Sequence, residues 1–438
     1  MFELHPGAHI RYVAVDGKAS GVLTDRIETN VRGQAVIKAV VRKNNRVVSP
    51  GFTGEVDRTS GEATCQTSLH HPLLWTPETP ECYELEVQLW MKNKLCHVVT
   101  KKIGFRTIEV KPKDGVYLNG KKIRMKGINR NTFWPESGRT SSESLSIRDV
   151  NLIKEMNMNA VRMSHSAPDK HFLEACDSLG LMVINELTGW QDAYATPVGK
   201  QLVRELVRRD VNHPSVVMWA NGNEGGFNEE LIPEYARHDI QQRPVIQPWM
   251  LFGGINTRHY ISYDYGAAEM FHGHDLFMPT EFLHGSYDGG HGAGLEDYWN
   301  LMRNHPLSAG GFLWDFCDSG IKRTDQNGQL DAMGDYAADG IVGPYREKEG
   351  SFFAVKEIWS PVFIEDKIIT SAFDGKLNIE NQFDVTNLDQ CRFEWKLLKV
   401  EDWKHADSIT GVVRPPYLEP GQKGSLQIPL PPGWNRYD

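Results

Sequence analysis

Residues 219–228 read WANGNEGGFN, directly after the apolar run Val216, Val217, Met218. A hydrophobic segment that ends on an Asn-Glu pair and then loses regularity among glycines has the pattern of a buried strand. Its C-terminal tip would present Glu224 to something outside the sheet. Seven more short apolar runs flank this one between about residues 116 and 365: KIRMKGINR, NAVRMSH, LMVINEL, PVIQP, YISYDY, LFMPTEF and GGFLWDF. Amphipathic segments lie between several of them. SIRDVNLIKEM sets Val150, Ile153 and Met156 on one side, DKHFLEACDSLG stops at Gly180, and GLEDYWNLM spaces Leu295, Tyr298, Trp299 and Met302 at helical intervals. Eight strands with helical crossovers over roughly 250 residues predict a (β/α)8 TIM barrel with its site at the C-terminal strand ends.

Outside residues 113–367 the pattern changes. Residues 20–112 carry period-two strands that fold back at Asn44-Asn45 and Lys92-Asn93, with Tyr83, Leu85, Val87 and Leu89 on one face, as in a β-sandwich. A further hairpin is expected at Asn119-Gly120. Residues 368–438 return to β pattern and read as part of another β-sandwich. The fold class is thus a multidomain chain with a TIM barrel between two β-sandwich modules.

The chain of 438 residues is long enough for two or three cores, and 40% hydrophobic with 24% charged residues is ordinary globular composition. A net charge of −9 argues against a nucleic-acid partner, and no run approaches the roughly 20 apolar residues of a membrane span. Six cysteines without CxxC spacing read as isolated buried thiols, although Cys82 and Cys96 could pair across a hairpin. The start, MFELHPGAHI, lacks the pattern of a signal peptide. A periplasmic or secreted address would require a leader on a longer parent, and homo-oligomer formation stays open.

The barrel reading demands polar groups at the strand ends, and the sequence supplies them. Strand one ends in Asn129 and Arg130, strand two in Arg162, Ser164 and His165, and strand three in Asn185 and Glu186. The fourth ends in Asn223 and Glu224, the sixth in Tyr263, Asp264 and Tyr265, the seventh in Glu281 with His284, and the eighth in Trp314 and Asp315. Any one of these alone would read as a solvated loop residue. Two carboxylates in one pocket suit glycosidic bond cleavage, since one protonates the leaving oxygen while the other attacks the anomeric carbon or activates water. Glu224 and Glu281 are the pair, and Trp190, Trp219, Tyr265 and Trp314 offer faces for sugar rings, with Trp219 equally suited to filling the core.

The segments GINRNTFWP, NAVRMSHSAPDKHFLEACDSLGLMVINE, HPSVVMWANGNE, MPTEFLHG and GGFLWDF resemble, in order, the signature segments of glycoside hydrolase family 2, the β-galactosidase, β-glucuronidase and β-mannosidase group. The likeness extends more weakly to HPLLWTPETPECYELEVQLW and KIGFRTIEV, which resemble the family's immunoglobulin-like domain and its entry into the barrel, and so implies that the sandwich of residues 20–112 is immunoglobulin-like. It implies that Glu224 is the general acid/base, that Glu281 is the nucleophile of a retaining double displacement, and that Asn223 bonds the sugar 2-hydroxyl. It further implies that His165 and His284 bind sugar, that Tyr265, with Tyr263 as close competitor, orients the nucleophile, and that Trp314 lies under the sugar. Residues 1–19 would be the remnant of an upstream jelly-roll domain.

Departures from the family pattern refine the expectation. NELTGWQD places Trp190 and Asp192 where metal-dependent members carry Glu and His, so no metal and no cofactor are expected. The Asn-Xaa-Lys element of glucuronidases is missing from DQNGQLDAMG and AADGIVGPY, which leaves Lys322 or Arg323 as substitute cations for a uronate. FHGHD, with His272 and His274, precedes the seventh strand and reads as a loop. The expected function is an exo-acting β-glycosidase on a carbohydrate substrate, β-galactoside first, with the loop from Asp288 to Gly294 walling off the far side of the sugar. The alternatives are a β-glucuronidase, a β-mannosidase or a non-catalytic carbohydrate-binding relative.

Overall fold

The computed structural model describes residues 7–286, 291–334, 336–366, 368–400 and 406–436. Two compact units emerge, Met1–Ile358 and Trp359–Asp438. In the first, Ile10–Gly17, Val22–Thr29 and Glu62–Ser68 form one antiparallel sheet. The facing sheet is built on Val36–Lys43, which pairs with Arg46–Val47, Phe52–Glu55 and Tyr83–Met91, the last pairing in turn with Lys94–Ile103. Alternate residues of both sheets, among them Val13, Leu23, Ile27, Ile37, Val41, Leu85 and Val87, share one dry core. Asn44-Asn45, Lys92-Asn93 and Asn119-Gly120 all take positive φ, the geometry that two-residue hairpins need and Asn and Gly tolerate best. The strand Ile10–Gly17 pairs along its length with Val22–Thr29, so this part of residues 1–19 belongs to the sandwich and is no tail of a preceding domain.

The sandwich seats directly on the second layer. Arg106 is buried and donates from Nε to the Pro214 carbonyl and from Nη2 to the Val216 carbonyl, both at 2.6 Å, while Gln241 reaches back to the Val15 carbonyl at 2.8 Å. These bonds satisfy backbone groups where the segment 216–223 begins, which fixes the base of the strand that presents Glu224. A three-stranded sheet, Ile108–Lys111, Gly115–Leu118 and Lys121–Ile123, spans the expected 112/113 boundary. Its Val116, Leu118 and Ile123 pack into the core of the parallel strands that follow.

Those strands form a curled parallel sheet. Met125–Arg130 lies between Ala160–Met163 and Gly310–Leu313, and the sheet continues through Met182–Trp190, Val216–Asn223 and Val245–Ile246. On the other side, Leu276–Phe277 joins the eighth strand through Phe277 N to Leu307 O (3.0 Å) and Ala309 N to Phe277 O (2.9 Å), and pairs with Ile255–Asn256. Among the described residues no ladder joins the fifth strand to the sixth.

The sixth strand is therefore Ile255–Asn256, and the expected strand YISYDY is not one. Ser262 accepts the amide of Tyr265 on Oγ and the amide of Gly266 on its carbonyl, capping a helix from Tyr263 to His272. The expected loop 288–294 also changes character. His291–Asn304 is a helix, and residues 287–290 lie outside the described residues.

The second unit begins earlier than the expected residue 368, because Val362–Ile364 pairs with Lys376–Asn381, which pairs with Lys423–Gln427 around Ile379, Leu388 and Leu426. Phe393–Val400 and Ala406–Val413 form a separate antiparallel pair. All six cysteines are free thiols, so Cys82 and Cys96 are not bridged. Among the described residues no helix is long and apolar enough to cross a membrane.

One buried charge cluster ties the first parallel strand to the helix behind it. Asp149, inward on the helix Glu143–Glu155, accepts Arg130 Nε (3.0 Å) and Nη2 (2.8 Å) and also Arg346 Nε (2.7 Å), with all three side chains buried. Replacing Asp149 with Ala leaves two guanidinium groups without their counter-charge, and breaking such a cluster costs about 3–5 kcal/mol. Urea unfolding of Asp149→Ala should show a loss of that size at unchanged m-value. A loss below about 1 kcal/mol would contradict the role given to the cluster.

Candidate active site

Every residue of the strand Val216–Asn223 is buried. At its end the chain turns through positive φ at Gly222 (77°), Glu224 (44°) and Gly225 (95°). A side chain at Gly222 would place Cβ 2.1 Å from the Gly226 carbonyl oxygen, and one at Gly226 would lie 2.0 Å from that of Gly189. The glycines thus let the ends of the third and fourth strands touch backbone to backbone, which leaves Glu224 at the tip in a conformation uncommon for a side-chain-bearing residue.

The centre of the site is Arg162 from the second strand. Its guanidinium is fully buried and donates to Asn129 Oδ1 (2.9 Å) on the first strand, Glu186 Oε2 (2.9 Å from Nε) on the third, Asn223 Oδ1 (2.7 Å) on the fourth, and Glu281 Oε1 (2.7 Å) just past the seventh. Burial opposes the arginine charge, and Glu186 and Glu281 more than restore it. Asn223 has its carboxamide oxygen taken by Arg162, and its buried amide nitrogen has no partner. That nitrogen is a donor free for a ligand hydroxyl.

Glu281 accepts Tyr260 Oη on Oε2 at 2.6 Å. His165 Nε2 lies 3.9 Å from its Oε1, and His259 Nδ1 lies 3.4 Å from its Oε2. Burial raises its carboxyl pKa, but the charges of His259, Arg162 and His165 and the Tyr260 bond outweigh that and hold it below the usual range. Glu224 accepts His259 Nδ1 at 2.9 Å and the Trp190 indole at 2.8 Å, and the His259 bond above all lowers its pKa to about 2. The two carboxylates differ in exposure, with 3% of the Glu281 side chain accessible against 19% for Glu224. One ring nitrogen of His259 and one carboxylate oxygen each of Glu224 and Glu281 lie within 4.8 Å of one another.

Aromatic rings line one side of this pair. His165 stacks on Trp314 with centroids 5.4 Å apart and is nearly parallel to Trp190 at 6.3 Å, and His284 stacks on Trp314 at 6.4 Å. The Trp314 indole donates to Asp339 Oδ2 (3.0 Å), and His284 Nε2 lies 3.4 Å from the same oxygen. Burial pushes the Asp339 carboxyl up. It pushes Asp315 up much further, aided by the charge of Asp339, and Asp315 Oδ1 is buried without a partner.

Glu224, Glu281, Asn223, His165, His284, Trp314 and Trp190 are thus brought together, and Trp219 is a core residue bonded to Asp239. Tyr265 is not in the cluster. It sits on the helix Tyr263–His272 with its hydroxyl accepting from Arg258, and Tyr263 is exposed, so the phenol on Glu281 belongs to Tyr260. Sequence reasoning placed Arg162 at the end of the second strand without giving it a role, and passed over His259, Tyr260 and Asp339 as site residues. The signal for Tyr260 was the RHY triplet one turn before the helix.

Among the described residues, Glu224, His259 and Glu281 are also the one set of three donors with metal-binding proximity. Their atoms are already engaged with one another, and a cation there would face the Arg162 guanidinium on Glu281, which opposes it.

Residues 108–247 match the family model described as Glycosyl hydrolases family 2, TIM barrel domain, and residues 8–106 match that described as Glycosyl hydrolases family 2. A β-galactosidase of Leuconostoc mesenteroides is 27% identical over 387 residues, covering 78% of this chain. The chain spans only 36% of that relative's length. A glycosyl hydrolase family 2 member from Bacteroides cellulosilyticus superposes with a TM-score of 0.66 at 18% identity, covering 96% of this chain and 64% of the other. A Bifidobacterium dentium β-glucuronidase, solved with coumarin-3-O-glucuronide, superposes with a TM-score of 0.66 at 20% identity, over 81% of this chain and 66% of its own. The two family models lie end to end over the sandwich and the first five parallel strands, more than half of the sequence, and the chain belongs to glycosyl hydrolases family 2.

Proposed function

We propose that this chain carries the catalytic barrel of a retaining, exo-acting β-glycosidase, with β-galactosides as the first substrate class. The observation that supports it is the carboxylate pair held within 4.8 Å, one member dry and charged and the other at the mouth. Facing oxygens no more than 4.8 Å apart favour direct attack over the inverting route, whose carboxylates stand roughly 6.5–9.5 Å apart to admit a water. Glu281 is the nucleophile, kept ionised by Arg162 and aimed by Tyr260. Glu224 protonates the leaving oxygen and then deprotonates the water that releases the sugar. The unpartnered Asn223 amide meets the 2-hydroxyl, a contact that tightens as the oxocarbenium ion develops.

For the sugar, the β-galactosidase relatives favour galactosides, although the chain covers a minor part of them. Structural likeness to glucuronidases speaks for the fold. The candidate cations for a uronate are already paired. Arg323 binds Asp325 and Asp331, and Lys322 lies 4.0 Å from Glu136.

A panel of aryl β-galactoside, β-glucuronide, β-mannoside and β-glucoside should give selective turnover of the galactoside, abolished in Glu281→Gln. Proton NMR of the first product should show the β anomer. The α anomer, or turnover undiminished in Glu281→Gln, contradicts the reading, as does silence on all four glycosides.

Tyr260→Phe removes a hydrogen bond to a charged group, worth about 1.5–3 kcal/mol, so kcat/KM should fall roughly tenfold to a hundredfold. Tyr265→Phe should stay within about twofold. The reverse order would restore the sequence-based choice of tyrosine.

A further inference from the structure

We propose that His259 stores the proton that Glu224 delivers, so that the acid of this site is the Glu224–His259 pair and not the glutamate alone. The proposal rests on the retaining reading above.

His259 follows the sixth strand and is buried. Its Nε2 lies 2.9 Å from Thr280 Oγ1, and that hydroxyl gives its one proton to the Thr257 carbonyl at 3.1 Å. Thr280 therefore accepts from His259, and Nε2 carries hydrogen. In a neutral ring Nδ1 would then be a bare lone pair, 2.9 Å from Glu224 Oε1 and 3.4 Å from Glu281 Oε2. Three lone pairs facing one another in a dry pocket repel. A proton on Nδ1 turns both contacts of that nitrogen attractive and places a positive charge between the two carboxylates, and the bond to Glu224 becomes charge-assisted.

The charges around the ring agree. Glu224, Glu281 and Glu186 are negative, and against them stands the Arg162 guanidinium. His165 reaches Glu186 through Nδ1, Tyr260 is held neutral by burial and by Glu281, and buried Asp315 is pushed towards its protonated form. One added positive charge at His259 lowers the net negative charge of the cluster. The His259 bond is also what chiefly holds the Glu224 carboxyl low, so within this pair the carboxylate and the imidazolium imply each other.

The step balances. As Glu281 attacks the anomeric carbon and the glycosidic C–O bond breaks, the Nδ1 proton passes to Glu224, which delivers a proton to the departing oxygen. The products are an alcohol, a neutral glycosyl ester on Glu281, an ionised Glu224 and a neutral His259. Loss of the Glu281 charge removes part of the reason for the imidazolium, so the proton leaves His259 as the ester forms. Water then attacks the anomeric carbon as its bond to the Glu281 oxygen breaks, the water's proton returns through Glu224 to Nδ1, and Glu281 is released as the carboxylate.

Two measurements test this. Nitrogen-15 NMR of the free protein at neutral pH should show His259 protonated on both nitrogens. A bare Nδ1, or a neutral ring protonated on Nδ1 alone, would overturn the proposal. In the second, His259→Gln is assayed on dinitrophenyl and phenyl β-galactosides. The first leaving group needs no protonation, so its kcat/KM should hold within a few-fold, while the phenyl substrate should lose about 10²–10⁴-fold and its basic pH limb should move. Equal losses on both substrates, with the pH limb in place, would mark His259 as merely structural. If the unsubstituted chain turned over neither galactoside, that failure would fall on the functional reading, and the nitrogen shifts would still decide where the proton sits.

Discussion

Arg162 is the constraint on which the rest of the site depends. A fully buried guanidinium is costly to desolvate and is tolerated only where its donors meet acceptors and its charge meets counter-charge. Here the acceptors come from the first, third and fourth strands and from the segment after the seventh. Because the guanidinium is planar and its donors are rigidly forked, binding all four at once fixes their mutual positions. Arg162 thereby couples the Asn223–Glu224 tip to the Glu281 carboxylate across the curled sheet.

From this hub the two carboxylates acquire opposite surroundings. Glu281 is dry, bonded to Arg162 and Tyr260, and tuned to remain an anion. Glu224 sits in a left-handed turn among glycines, closer to solvent, with the exposed Trp190 and the buried His259 on its oxygens. The same imidazole nitrogen approaches both, so a change of charge on one carboxylate is felt by the other through a single ring. The wall of His165, Trp314 and His284 rests on Asp339, which gives that end of the site an acidic character unlike the cationic Arg162 end.

The strand ends were legible because a buried parallel strand is an apolar run, and the polar residue that stops it stands out, as with Val216 to Met218 before Asn223 and Glu224. Sandwich hairpins were legible at Asn44-Asn45 and Lys92-Asn93 because few residues tolerate positive φ in succession. The sixth strand was not. Ile255–Asn256 is two residues long and leaves no apolar run, while the aromatic alternation of Tyr260 to Tyr265 mimics a strand that Ser262 turns into a helix. Misplacing that strand moved the tyrosine on Glu281 by five positions. His259 and Asp339 could not be singled out from one sequence, since only the fold brings them to Glu224 and Trp314. The boundaries expected at residues 19 and 367 failed for a similar reason. Ile10–Gly17 and Val362–Ile364 find their partners through pairing that local pattern does not reveal.

The central claim is that Glu281 is an ionised, aimed nucleophile. Its most direct test is to incubate the protein with 2-deoxy-2-fluoro-β-galactosyl fluoride, whose fluorine at carbon two slows release of a glycosyl ester, and then to measure intact mass and map peptides. The account predicts one fluorosugar per chain, carried on the Glu281 carboxyl. An adduct on Glu224 or any other residue, or no adduct from protein that turns over an aryl galactoside, would contradict it.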